Sequence, residues 1–147
     1  MYLGEKVLRE RNLDTCFAQA RFYASQNSDD AETKVGAIVI GTDLEAANTF
    51  IYGAKDLPNT RPDKYEYIIH AEANLVAEAA KWGISLEGKK VFCTLSPCQA
   101  CTRTLFQAGI KEVYYKDTHH AHNPNMRDIE VTETKIGQYT KMELKAR

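Results

Sequence analysis

Short β-branched apolar runs alternate with alanine- and leucine-rich stretches along this chain. That alternation predicts an α/β domain on a mixed, mostly parallel central sheet of about five strands, with helices on both faces and right-handed crossovers. Two observations carry the expectation. VGAIVIG (35–41), VFCTL (91–95) and KEVYY (111–115) have strand length and are bounded by turn residues. IHAEANLVAEAAKW (69–82), lying between the first two, is rich in helix formers and is followed by Gly83, a natural stop.

The elements follow in order. In NLDTCFAQARFYASQN (12–27), Leu13, Cys16, Phe17 and Ala20 form the apolar stripe of a surface helix, with Asn12 or Asp14 as cap. Cys16 lies in that stripe and reads as a small packed side chain. SDDAETK (28–34) is a polar connection into the first strand at 35–41, whose unbroken apolar character suggests cover on both faces. Thr42 and Asp43 turn the chain into a second strand over about 44–51, with Asn48 in it or at its edge. YGAKDLPNTRPDKY (52–65) is an irregular loop that ends next to His70 and is placed to form a wall of any site there. The helix at 69–82 carries His70 and Glu72 in its first turn. Cys93 falls mid-strand in VFCTL and reads as core. SPCQACTRTLFQAG (96–109) is a turn leading into a helix, with Pro97 at the first helical position and Gly109 at the end. After the fourth strand at 111–115, DTHHAHNPNM reads as a loop, 127–138 as a polar helix, and YTKMEL as an edge strand or helix end.

At 147 residues the chain suits a single domain over 1–147. Its net charge is -1, and no basic stripe interrupts the sequence, which argues against a polynucleotide partner. No run approaches the roughly 20 apolar residues of a membrane span. MYLGEKVLRER at the start lacks the apolar core of a secretory leader. The expected location is the cytoplasm, where paired cysteines point to metal binding or catalysis rather than a disulfide.

The chemistry concentrates in H70-A71-E72 and P97-C98-Q99-A100-C101. Cysteine thiolates and a histidine nitrogen are favoured ligands of Zn²⁺, and three protein ligands leave one tetrahedral position free. Cys98 and Cys101, three apart on a helix, share a face. Glu72 stands beside the metal donors as a proton carrier rather than a ligand. The combination is the signature of hydrolytic nucleobase deamination. The Ala71 N–H and the Ser96 carbonyl are candidate contacts for the base. A closed structural zinc site is the competing reading, with the fourth ligand drawn from Cys16, Cys93, His119, His120 or His122.

With these residues in view, the sequence resembles the deoxycytidylate (dCMP) deaminases within the cytidine deaminase superfamily. The likeness runs from about residue 13 to 117. It includes KVGAIVI (34–40), NTFIYG (48–53), KYEYIIHAEAN (64–74), TLSPCQAC (94–101) and QAGIKEV (107–113). The resemblance implies the family's three-layer fold and zinc-dependent hydrolysis of dCMP to dUMP with release of ammonia, feeding thymidylate synthesis. It implies zinc on His70, Cys98 and Cys101, proton transfer by Glu72, and a deoxyribose contact from Asn48. It also implies a sugar–phosphate wall from Tyr115 or its neighbours after the fourth strand. A homo-oligomer, commonly a hexamer, with dCTP as activator and dTTP as inhibitor alongside Mg²⁺, belongs to the same expectation, as do effector residues in the loops around 28–64. Three departures stand out. Thr49 and Ile51 replace a usual glycine and proline, and Ser96 stands where phenylalanine is common. Beyond Asp117 the likeness fades, leaving Arg103, Lys116, His119 and Arg127 as phosphate candidates. Other readings are deamination of dCTP or of free cytidine or deoxycytidine, and a catalytically silent nucleotide-binding regulator of the same fold.

Overall fold

The computed structural model describes residues 8–147; the start of the chain, residues 1–7, where the sequence lacks the apolar core expected of a secretory leader, lies outside the described residues. The first helix, α1, spans Glu10–Asn27 and buries Leu13, Cys16, Ala20 and Ala24 along one stripe. It begins two residues ahead of the expected start. Asn12 sits in its first turn, where its Oδ1 accepts the Arg9 N–H at 3.0 Å. Asp14 does not cap the helix, and its carboxylate takes the Tyr139 hydroxyl. The helix packs tightly on the first strand, β1 (Gly36–Val39). A Cβ at position 36 would lie 2.2 Å from the Ala20 carbonyl oxygen, so only glycine permits this approach.

After β1 come β2 (Glu45–Ala47), a short 3-10 turn at Asp63–Glu66, α2 (Ala71–Trp82) and β3 (Lys90–Leu95). Then follow α3 (Gln99–Gln107), β4 (Glu112–Asp117), β5 (Ile129–Ile136) and β6 (Tyr139–Ala146). Gly83 ends α2 in the left-handed conformation, as its sequence position suggests. The strands form one sheet in the order β2-β1-β3-β4-β6-β5. α2 and α3 cover one face, around Leu75, Val91, Cys93, Leu105 and Val113. On the other, Leu13 and Ala20 of α1 meet Ile38, Phe92, Tyr114 and Tyr139. This is the three-layer α/β arrangement. Each fully buried leucine at its centre contributes about 1.5–3 kcal/mol.

Two expectations change. The sheet has six strands, and only β3 and β4 pair in parallel; β1 runs antiparallel to both β2 and β3. The reason is the tight turn after β1, where Gly41 adopts φ 82 and the Thr42 hydroxyl bonds the Val39 carbonyl and the Leu44 N–H. A run covered on both faces reads alike in either direction, so its sequence carries no sign of this reversal. The second change is at 127–138, where a polar helix is expected and β5 is found. Its partner is β6, reached through the two-residue turn Gly137–Gln138 with Gly137 at φ 59. Residues 132–135 are exposed in succession, so strand alternation shows only at Ile129–Val131 and the stretch reads as uniformly polar.

Candidate active site

α2 follows β2 and α3 follows β3, and both helices start beside one cavity of about 1090 Å³. His70 occupies the extended position just before α2, and Cys98 the equivalent position before α3. Pro97 therefore lies two residues ahead of α3 rather than in its first turn, because Cys98 takes the cap: its Sγ accepts the Cys101 N–H at 3.4 Å. His70 Nδ1 stands 3.6 Å from Cys98 Sγ and 3.4 Å from Cys101 Sγ.

The three donor atoms lie within 4.8 Å of one another. Tetrahedral zinc with ordinary N and S bond lengths sets its donors roughly 3.6 Å apart. The spacing and the donor types both fit that ion. No further histidine, cysteine or acidic group among the described residues joins the cluster at that separation. Cys16 and Cys93 are buried in the two core layers, and neither extends the trio. The charge states are those of a shared-proton pair. The Cys101 thiol bonds Cys98 and, with His70 alongside, holds the Cys98 thiol down at about 3. The same bond, with burial, drives Cys101 well up, and the contact with Cys98 raises His70. A thiolate at a helix start also gains from the helix dipole.

Glu72 is 4% exposed and lines the cavity. Burial pushes its carboxyl up to about 7, against the opposing pull of its own helix N–H and of His70. A carboxyl near neutrality can both accept and give a proton. Ala71 and Ser96 also line the cavity. Ala71 opens α2, where backbone N–H groups lack partners within the helix. The Ser96 N–H is taken by the Asp117 carbonyl at 2.8 Å.

Asn48 lines the cavity and is 6% exposed, with its amide engaged on every side. Its Oδ1 accepts the Ser28 hydroxyl at 2.6 Å and the Val35 N–H at 2.9 Å. Its Nδ2 donates to the Thr33 carbonyl at 2.8 Å and to Asp30 at 3.4 Å. Tyr115 is not among the lining residues. It is 2% exposed, and its hydroxyl turns inward to Glu133 at 2.8 Å. Its neighbours Thr118 to Asn123 face the cavity instead. Of the four phosphate candidates only His119 is there. Arg103 is held by Asp128 at 2.6 Å, and Lys116 lies over the Phe17 ring. From the 52–65 loop, Arg61, Lys64 and Tyr65 reach the cavity wall.

Sequence reasoning passed over Asp30 and Lys64. Lys64 is 1% exposed and bonds Asp30 at 2.8 Å and Glu32 at 2.9 Å. This pair joins the polar connection before β1 to the segment before His70. Its one sequence signal is the lysine of the KYEY lead-in, which periodicity does not mark as buried. Among the described residues no helix is long and apolar enough to cross a membrane.

The comparisons with known proteins agree with this geometry. Residues 11–117 match the family model described as the cytidine and deoxycytidylate deaminase zinc-binding region. The deoxycytidylate deaminase of Enterobacteria phage T2 is 43% identical over 61 residues, 42% of this chain and 32% of that protein. The deoxycytidylate deaminase of Mus musculus is 32% identical over 117 residues, 71% of this chain and 65% of that protein. The chain thus spans less than two thirds of the length of these curated relatives. The crystal structure of dCMP deaminase from cyanophage S-TIM5, in complex with dCMP and dUMP, aligns with a TM-score of 0.68 at 30% identity, covering 78% of this chain and 88% of that one. The family match covers most of the chain and contains all three metal donors and Glu72, and the chain belongs to the cytidine and deoxycytidylate deaminase zinc-binding family.

Proposed function

We propose that this chain, as a single domain over 1–147, hydrolyses dCMP to dUMP and ammonia, supplying the precursor of thymidylate. The observation that carries the reading is the buried Glu72 carboxyl beside the His70–Cys98–Cys101 trio, both opening on one cavity. Zinc held by those three side chains would supply the Lewis acidity that makes water nucleophilic near neutral pH. Glu72 takes a proton from the attacking water and passes it to N3 of the cytosine ring as the new C–O bond forms at C4. It then relays the remaining hydroxyl proton to the exocyclic amine. The C4–N bond breaks, ammonia leaves, and the C4 carbonyl of dUMP forms. Burial raises the Glu72 carboxyl above the usual carboxylate range, which favours its holding the proton between the two transfers.

Ala71 N–H and the Ser96 carbonyl are suited to the base edge. Asn48 is suited to the deoxyribose, by giving up one of its present partners. The segment after Tyr115 is suited to the sugar and phosphate, with the His119 imidazole as a donor. The dCMP and dUMP bound by the S-TIM5 relative support a nucleotide over a nucleoside. In the same reading the protein is cytoplasmic and homo-oligomeric, a hexamer by resemblance, with dCTP activating and dTTP with Mg²⁺ inhibiting. Activity titrated against both nucleotides with and without Mg²⁺, and sedimentation of the purified protein, test this; flat responses and a monomer would remove it.

A substrate panel tests the function itself. The zinc-loaded protein is incubated separately with dCMP, dCTP, deoxycytidine, cytidine and single-stranded DNA, and ammonia is measured. The highest kcat/KM is expected for dCMP. A preference for dCTP or a free nucleoside would move the substrate assignment, and no release from any of them would favour the silent regulator.

A further inference from the structure

The cavity wall formed by residues 118–123 is held in place by a part of the chain outside the family match, which ends at 117. Two bonds tie this segment to the metal-bearing elements. The His119 N–H donates to Ser96 Oγ at 2.9 Å, and Gln99 Nε2 donates to the Asn123 carbonyl at 3.0 Å. A third tie comes from the C-terminal hairpin. His122 Nε2 lies 3.0 Å from Glu133 Oε2 on β5, and the Tyr115 hydroxyl donates to the same oxygen at 2.8 Å. The Tyr115 and His122 rings also meet edge to face, with centroids 5.4 Å apart.

The position of Glu133 is informative. Ile129, Val131 and Glu133 alternate onto one face of β5. The first two pack in the core under α2 and α3. The third is a carboxylate in line with them where the row opens to solvent, its side chain 27% exposed, paired in register with the buried Met142. At this solvent-facing end of the row its carboxylate is still held on two sides, by the His122 ring that pins the wall and by the Tyr115 hydroxyl. The wall it steadies presents His119 and His120, whose rings stack at 4.2 Å, to the cavity.

We propose that Glu133 is a positioning residue: acting through His122, the C-terminal hairpin holds the 118–123 wall against the cavity and sets how tightly the non-reacting, sugar–phosphate part of the substrate is gripped. The inference rests on the nucleotide deaminase reading. It predicts an effect on substrate affinity with the chemistry of Glu72 left intact, since Glu133 reaches neither the metal donors nor Glu72.

The test uses the zinc-loaded protein with Glu133→Ala, Glu133→Gln and, on the opposite face of the same strand, Glu130→Ala. Amide hydrogen exchange across 118–123 and the separate kcat and KM for dCMP are measured. Loss of charge-assisted bonds predicts about tenfold faster exchange in 118–123 and about tenfold higher KM for Glu133→Ala, with kcat within about twofold. Glu133→Gln recovers part of both effects, and Glu130→Ala shows neither. Unchanged exchange in 118–123, or a fall in kcat at constant KM, would overturn the proposal. If Glu133→Ala does not fold, Glu133→Gln decides, with about threefold changes expected in exchange and KM. An unsubstituted protein inactive on dCMP sinks the deaminase reading, and the exchange measurement then still decides whether Glu133 holds the wall.

Discussion

The floor of the cavity and its walls are built by opposite means. The floor is His70, Glu72 and Cys98, with Cys101 just beneath Cys98, all at the caps or in the first turns of two helices that each follow a strand. Backbone geometry alone delivers these groups to one point. The walls are tied by side chains reaching across the sequence. Lys64 bonds Asp30 at a separation of 34 residues, Asn48 reaches Asp30 across 18, and Glu133 holds His122 across 11. In the proposed reading, reaction chemistry is a local property of two short motifs, whereas the shape offered to the substrate is a tertiary one. Damage to the two regions should therefore separate cleanly: floor variants lose metal or turnover, and wall variants lose stability or affinity.

The largest separation is expected at Cys101. Cys101→Ala removes one of three donors, so metal content by atomic emission and ammonia release should both fall to background. If full zinc content survives, the trio is not the metal site.

The next effect falls on a wall. Lys64→Met leaves Asp30 buried without its cation, and breaking a buried pair costs about 3–5 kcal/mol. Urea unfolding should show that loss while zinc binding by the folded fraction persists; a loss below about 1 kcal/mol would mean that the pair does not hold the wall. The same pair fixes the pH response. Burial raises the Asp30 carboxyl, but the Lys64 bond and the Thr33 and Glu32 N–H groups outweigh it and hold the value below the usual range. Its stabilisation is complete above about pH 3.9 and fades as pH falls through the lowered folded value. Burial lowers Lys64, and its bonds to Asp30 and Glu32 outweigh that and raise it. Its contribution is complete below about pH 10.4 and fades as pH rises through the folded value. The contribution of this pair should stay level between these limits, and Lys64→Met should abolish the alkaline decline in unfolding midpoint that Lys64 causes.

The smallest effect is expected at Arg103, whose pair with Asp128 is about half exposed on both sides, at 47% and 51%. Arg103→Ala should leave both the unfolding midpoint and the KM for dCMP essentially unchanged. A large rise in KM would return Arg103 to the phosphate site.

The same contrast explains what the sequence made legible. The helix at 69–82, the strand at 91–95 and the turn into α3 could be read from composition, glycine stops and the H-A-E and PCxxC motifs, because each rests on local rules. The antiparallel pairing of β1 with β3 could not, because a strand covered on both faces carries no mark of direction. β5 was hidden by its charged outer side, although Ile129 and Val131 alternate and Gly137 marks a hairpin turn. Tyr115 or its neighbours were expected to line the sugar and phosphate; the neighbours at 118–123 line the cavity, while the Tyr115 hydroxyl meets Glu133. Nothing in its neighbourhood along the chain names Glu133 as its partner.

The central claim is that Glu72 carries the protons of a zinc-dependent deamination. Glu72→Gln keeps the size of the side chain and removes its ability to shuttle a proton. In the zinc-loaded variant, with metal content matched to the parent, ammonia release from dCMP should fall by about 10²–10⁴-fold with little change in unfolding midpoint. Turnover within a few fold of the parent at matched zinc content would contradict the account.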